Sequence, residues 1–219
     1  MADEQDILLR EIDEELKQEN LQEIWKKYGA LIVAGTFLLV AGMAGFQGWK
    51  AHDLNTRTEL GERFFAAQSL ARTGKDMDAK DAFDSIVKDS PAGYQMLARF
   101  QLASLATKQG DLISAVGAYK NLADDDAVNT VYRDLALVLG AFVELDAKFE
   151  GMGLVARADE LASSSSPLRF TAKEVSALAA LKNGNIKIAR TRYEELSKEA
   201  AAPQGLRTRA QSMLNVLAE

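Results

Sequence analysis

"GDLISAVGAYKNLADDDA", Gly110 to Ala127, is the stretch on which the fold turns. It opens on glycine, then places Ala115 five residues on, Tyr119 four beyond that and Leu122 three beyond that. "GKDMDAKDAFDSIVKDSP", from Gly74, repeats the frame with Ala79, Phe83 and Ile86. "GNIKIARTRYEELSKEAA", from Gly184, repeats it with Ala189, Tyr193 and Leu196. Steps of four and three residues put these side chains on one helical face. The glycine ends a preceding helix, the small alanine admits that helix closely, and the aromatic fills the gap to the next pair. The frame alanines are 36 and 74 residues apart, and 74 is twice 37. A degenerate unit is therefore expected over about 131–162. "VYRDLALVLGAFVELDAK" supplies its first helix, whereas "MGLVARADEL" departs from the frame.

Working outward, Ala, Leu, Lys and Glu dominate beyond residue 50, and Val/Ile/Thr runs of the strand type are missing. The region 50–219 is expected to be all-α. The units resemble the tetratricopeptide repeat, a helix-turn-helix of about 34 residues. Leu102-Ala103 stand where that repeat prefers leucine then a small residue, and Pro91 takes its closing-proline position. The early tryptophan is absent, one unit alone has the proline, and the period is longer. Thr171 and Glu174 are spaced as a capping box, with Phe170 and Val175 as a hydrophobic staple, so a helix is expected to start near Ala172 after a surface loop at 163–167. "GLRTRAQSMLNVLAE" reads as a last helix with Leu206, Met213, Leu214 and Leu217 inward, capping the solenoid.

Ahead of the repeats, Tyr28 to Trp49 is a run of 22 residues without a charge. As a helix it rises about 33 Å, near the hydrocarbon thickness of a bilayer. Tyr28 and Trp49 at its ends suit the interfacial aromatic belt. A buried core helix would be shorter or carry a polar stripe. A signal peptide would have a short basic leader, whereas residues 1–27 hold nine acids and four bases. The run is expected to be a permanent single-span anchor. The Lys26-Lys27 pair at its edge favours a cytoplasmic N-terminus, against Lys50, Arg57 and Arg63 on the other side. Ala34, Ala41, Gly45 and Gly48 share one face and are candidates for packing against a partner membrane helix. In residues 7–25, Ile7, Leu8, Ile12, Leu16, Leu21, Ile24 and Trp25 give an amphipathic helix whose polar face is acidic, and so unsuited to anionic lipid. The expected architecture is an N-terminal amphipathic helix (1–27), one transmembrane helix (28–49) and a tetratricopeptide-like helical-hairpin solenoid (50–219).

The chemistry expected is binding rather than catalysis. There is no cysteine and a single histidine, His52, which excludes thiolate sites and a multi-histidine metal site within one chain. Residues 50–219 carry 22 bases against 23 acids, so no basic footprint for nucleic acid exists. Asp124-Asp125-Asp126 lacks the calcium-loop pattern and reads as a solvated turn, as do Asp76 and Asp78. Gly151-x-Gly153 follows no strand and is no nucleotide fingerprint. No cofactor is expected. On the repeat frame Arg72, Lys108 and Lys182 are equivalent, as are Phe64 and Phe100. They form an apolar-plus-basic strip that could line a peptide groove, or equally two core aromatics and three solvated helix ends.

Trp25 to Gly29 ("WKKYG"), the single anchor, "ALKNGNIKIARTRYEEL" and the closing "QSMLNVL" together resemble the YfgM-like family, also called the ancillary SecYEG translocon subunit family. The resemblance implies a bacterial inner-membrane protein with its repeat domain in the periplasm. It also implies association with the Sec translocon and with periplasmic chaperones that receive emerging client polypeptides, and it brings no catalytic residues. The alternatives are a scaffold subunit of another inner-membrane complex (envelope assembly, respiratory or membrane-shaping) and a periplasmic binding protein released by cleavage.

Overall fold

The computed structural model describes the backbone of residues 2–147 and 152–218, and the side chains of 25–31, 33–50, 54, 56–147 and 152–218. All described elements are α-helices: α1 (Ala2–Arg72), α2 (Asp76–Asp89), α3 (Ala92–Lys108), α4 (Leu112–Ala123), α5 (Thr130–Asp146), α6 (Leu154–Ala162), α7 (Arg169–Lys182), α8 (Ile186–Lys198) and α9 (Gln204–Val216). Two compact units divide the chain at Glu59/Leu60. The first holds the apolar segment Trp25–Lys50, long and apolar enough to cross a membrane. The tail and the apolar run are continuous in one helix, α1. The tail's apolar face (Ile7, Leu8, Ile12, Leu16, Leu21, Ile24) and His52 lie outside the described side chains.

The second unit, Leu60–Glu219, is a stack of hairpins. The end of α1 packs on α2 through Phe64 and Phe83, and α3 pairs with α4, α5 with α6, and α7 with α8. First helices also stack on one another, α5 on α7 and α7 on α9. The frame alanines Ala79, Ala115 and Ala189 are fully buried, and so are the frame residues Phe83, Ile86, Leu122 and Leu196, with Tyr119 and Tyr193 nearly so. Full burial of one such apolar side chain stabilises by about 1.5–3 kcal/mol.

Three of the four hairpins share one turn. Gly74, Gly110 and Gly184 have φ of 81°, 78° and 75°, the left-handed region glycine enters without a Cβ penalty. After each, the next N–H reaches back six-to-one: Lys75 to Leu70 O at 3.0 Å, Asp111 to Ala106 O at 3.0 Å, Asn185 to Ala180 O at 2.9 Å. These are Schellman closures, satisfying carbonyls at the end of each first helix.

The hairpin at 130–162 is the expected degenerate unit and breaks this pattern. Ala147, at the frame glycine's place, is αR. The left-handed residue is Gly153, at the start of α6, and α6 has nine residues where α2, α4 and α8 have 14, 12 and 13. Its buried residues are Leu154, Ala158 and Ala162, with no aromatic among them. Gly140 of α5 makes room for this arrangement: a Cβ there would lie 2.5 Å from Leu154 Cδ1 and 2.8 Å from Tyr119 Cβ.

One local expectation is corrected. α7 starts at Arg169 rather than near Ala172, so Thr171 lies inside the helix and no capping box forms. The serine loop begins the helix earlier: Ser166 Oγ accepts from Leu168 N–H at 3.2 Å and donates to Asp134 Oδ2 at 2.6 Å. Glu174 is left to accept two bonds from the Arg209 guanidinium of α9, at 2.8 and 2.7 Å. Phe170 and Val175 are both buried, as core residues of α7. In α9, Leu206 is buried, and Met213, Leu214 and Leu217 pack on the same core.

Candidate functional site

The candidates named from the sequence fall into two groups. On α1, Ala34, Ala41, Gly45 and Gly48 are all exposed. A Cβ added at Gly45 or Gly48 would meet nothing within 4 Å. Ala34 also belongs to a shallow groove with Trp25, Gly29, Val33 and Phe37. Its upper end is closed by the Trp25 ring, which lies 3.3 Å from where a Gly29 Cβ would be. The apolar helix thus presents small, exposed residues with open space above them, beside an aromatic ring.

The strip candidates of the repeat unit are engaged within the fold. Phe64 packs edge-on to Phe83 at 5.6 Å and against Tyr94 at 6.2 Å, and Phe100 packs against Tyr119 at 6.3 Å. Lys108 Nζ donates to Ala71 O at 3.0 Å and to Asp76 Oδ1 at 2.7 Å. Lys182 Nζ repeats the device two periods later in the frame, donating to Leu145 O at 2.5 Å and to Asp146 Oδ1 at 3.0 Å. Each ammonium tops a C-terminal carbonyl of the preceding first helix, where the helix dipole favours a cation. Arg72 instead lies over the Phe65 ring, 5.5 Å from its centroid.

The aspartate turn is more than solvated. Asp124 pairs with Lys120 at 2.5 Å and Arg157 at 2.7 Å, Asp125 with Arg99 at 2.6 Å, and Asp126 with Arg133. Three successive carboxylates therefore tie α3, α4, α5 and α6 together. The Lys120 ammonium holds the Asp124 carboxyl below the usual carboxylate range, with help from Arg157. The Arg99 guanidinium and the Ala127 N–H do the same for Asp125.

Sequence reasoning missed the region around the irregular hairpin. Glu144 of α5, 7% exposed, directs its carboxylate at the start of α6 and accepts from the N–H groups of Met152, Gly153 and Val155, each at 2.9 Å. It supplies what an N-cap side chain would, for a helix that has none of its own. Beside it a cleft of about 770 Å³ opens between α6 and α8 across α7. The buried Ala179 and Ala180 of α7 form its floor, and Val155, Ala156 and Ile188 line its sides. One end is a network in which Ser176 Oγ donates to Asp159, while Arg192 donates to Ser176 Oγ and, at 2.9 Å, to Ser176 O. The other end holds Lys182, Asn183 and Asn185. A signal existed: Ser176, Ala179 and Ala180 stand 37 residues after Leu139, Phe142 and Val143. Among the described residues no cluster of His, Cys, Asp and Glu is placed to hold a metal ion.

The curated proteins and the solved structures give no match to this chain. The family model described as "Tetratricopeptide repeat-like domain" matches residues 22–218. That span takes in every hairpin and the whole apolar segment. With its paired helices, its glycine-closed turns and its buried alanine–aromatic frame, the chain belongs to the tetratricopeptide repeat-like domain family.

Proposed function

We propose that this chain is a non-enzymatic, membrane-anchored adaptor, binding other proteins through its tetratricopeptide-like unit. The membership itself carries the first half of this reading, because stacked helix pairs of this family serve protein–protein interaction. A helical segment uncharged over 28–49, with nearly every described side chain unburied, supports the second half. In an aqueous setting so large an apolar surface would be a liability, whereas in a bilayer it is at home.

The address and the partners follow from the resemblance. The anchor sits in a bacterial inner membrane with the N-terminus cytoplasmic and the repeats periplasmic. The exposed Ala34, Ala41, Gly45 and Gly48 face then serves contact with the Sec translocon, and the repeats serve periplasmic chaperones or emerging clients.

Mild-detergent co-purification of the full chain, with mass spectrometry of what accompanies it, tests this reading. A photo-crosslinker at Ala41 or Gly45 is expected to capture a translocon subunit. Capture of a different membrane complex would replace the translocon with that complex and leave the adaptor standing. A mature chain lacking the acidic tail would mark a released protein and sink the anchor.

A further inference from the structure

We infer that the cleft between α6 and α8 is a binding site for an uncharged, apolar segment of extended polypeptide, taking one large side chain onto its alanine floor; this deepens the adaptor reading and rests on it. The argument begins with what is missing. One period earlier, Leu139 and Phe142 pack against the central core and Val143 belongs to it. On α7 the same three places hold Ser176, Ala179 and Ala180. The bulk taken away has not been restored by the neighbouring helices, since α6 is short and has no aromatic. The outcome is a cleft of about 770 Å³, within the usual range of ligand sites.

Charge selects the occupant. Four charged side chains line the cleft, and each is already committed. Glu144 holds three N–H groups, Lys182 is on Leu145 O and Asp146, and Arg192 pairs with Asp159 at 3.3 Å. An ionic ligand would find no charge without a partner, whereas an apolar side chain needs none. Ile188, 49% exposed, and the half-buried Val155 offer apolar surface at the mouth. Asn183 and Asn185 are exposed at one end, with no side-chain hydrogen bond among the described residues. An asparagine amide both donates and accepts, which matches the alternating N–H and C=O of a main chain. A lipid tail would use the floor and leave these amides idle.

The test uses the full chain in lipid nanodiscs, with empty nanodiscs as background. The probe is a fluorescent Gly/Ser nonapeptide with Leu-Phe-Leu at its centre, beside a counterpart with Ser-Ser-Ser there, read by anisotropy. Saturable binding of the first peptide and none of the second is expected. Ala156→Trp fills the cleft from an exposed position, and Ile188→Asp places a charge at the mouth. Each is expected to weaken binding roughly tenfold or more, the worth of one buried apolar side chain. No binding by the unaltered chain overturns the site, and so does equal binding by both variants. Displacement of the peptide by dodecanoate but not by unlabelled peptide would assign the cleft to lipid, and a concentration-dependent dimer lost in Ala156→Trp would assign it to a second copy; either rejects the proposal. Failure here leaves the adaptor reading in place, because co-purification with a membrane complex does not depend on this cleft.

Discussion

The hairpins α3–α4 and α5–α6 fold back at the same place by different means. In the first, Gly110 turns the chain in the left-handed region, Asp111 closes the turn, and the Asp111 side chain accepts from Ser114 N–H at 3.2 Å to start α4. Every bond is local, so the turn can be read from one short run, Ala106 to Ser114. In the second, the carboxylate that starts α6 belongs to Glu144, back on the first helix. A local turn was exchanged for a longer connection anchored by one buried charge. The regular hairpins draw stability from their aromatic frame and the irregular one from a polar contact, and that difference can be measured.

The largest effect is expected from Tyr193→Ala in the regular α7–α8 hairpin. It removes a ring that is 2% exposed and should cost about 3–5 kcal/mol in urea unfolding of the full chain in detergent. An effect below about 1 kcal/mol would mean that the frame aromatics do not carry the stack. Glu144→Ala should come next, at about 2–3 kcal/mol, since it strips three N–H groups of their shared acceptor. Hydrogen exchange should quicken at Met152, Gly153 and Val155 and stay unchanged at Asp111 and Ser114. Uniform quickening would erase the contrast between the hairpins.

The smallest effect concerns the aspartate turn that joins the two hairpins. Asp124 and Asp125 have folded pKa values below their ordinary ones. Their contribution is therefore complete above the unfolded value of about 4 and is lost as pH falls through the lower folded values. Wild-type Tm should drop between about pH 5 and pH 3, more steeply than in the doubly substituted Asp124→Asn, Asp125→Asn chain. Parallel curves would show that the ion pairs add nothing. Both carboxylates are exposed enough that solvent keeps the difference small.

The repeat frame was legible because glycine, alanine and an aromatic each have one local task at fixed spacing. That alone placed four hairpins, including the degenerate one, whose presence followed from a spacing twice the period. Thr171 and Glu174 misled for a reason of the same kind: the spacing of a capping box was present, but Ser166 had already begun the helix, and Arg209 claimed Glu174 from α9. Partners far along the chain are invisible to local spacing. Glu144 was missed on that ground, its bonds reaching eight to eleven residues ahead across a change of direction. The cleft was missed because it consists of absent bulk, which shows only when α7 is laid against α5.

The two lysine contacts act as a ruler. Lys108 reaches the carbonyl of Ala71, and Lys182 that of Leu145, and both span 37 residues. A side chain of fixed length can meet such a carbonyl only if the intervening chain closes at one size. An insertion between Leu145 and Lys182 must therefore be matched by a deletion within the same interval. The chain already obeys this rule: the longer connection before α6 is offset by a nine-residue α6, and α7 returns in step. Length changes in a homologous chain should thus occur there in compensating pairs, and natural variation in this stretch would conserve a sum while its parts drift.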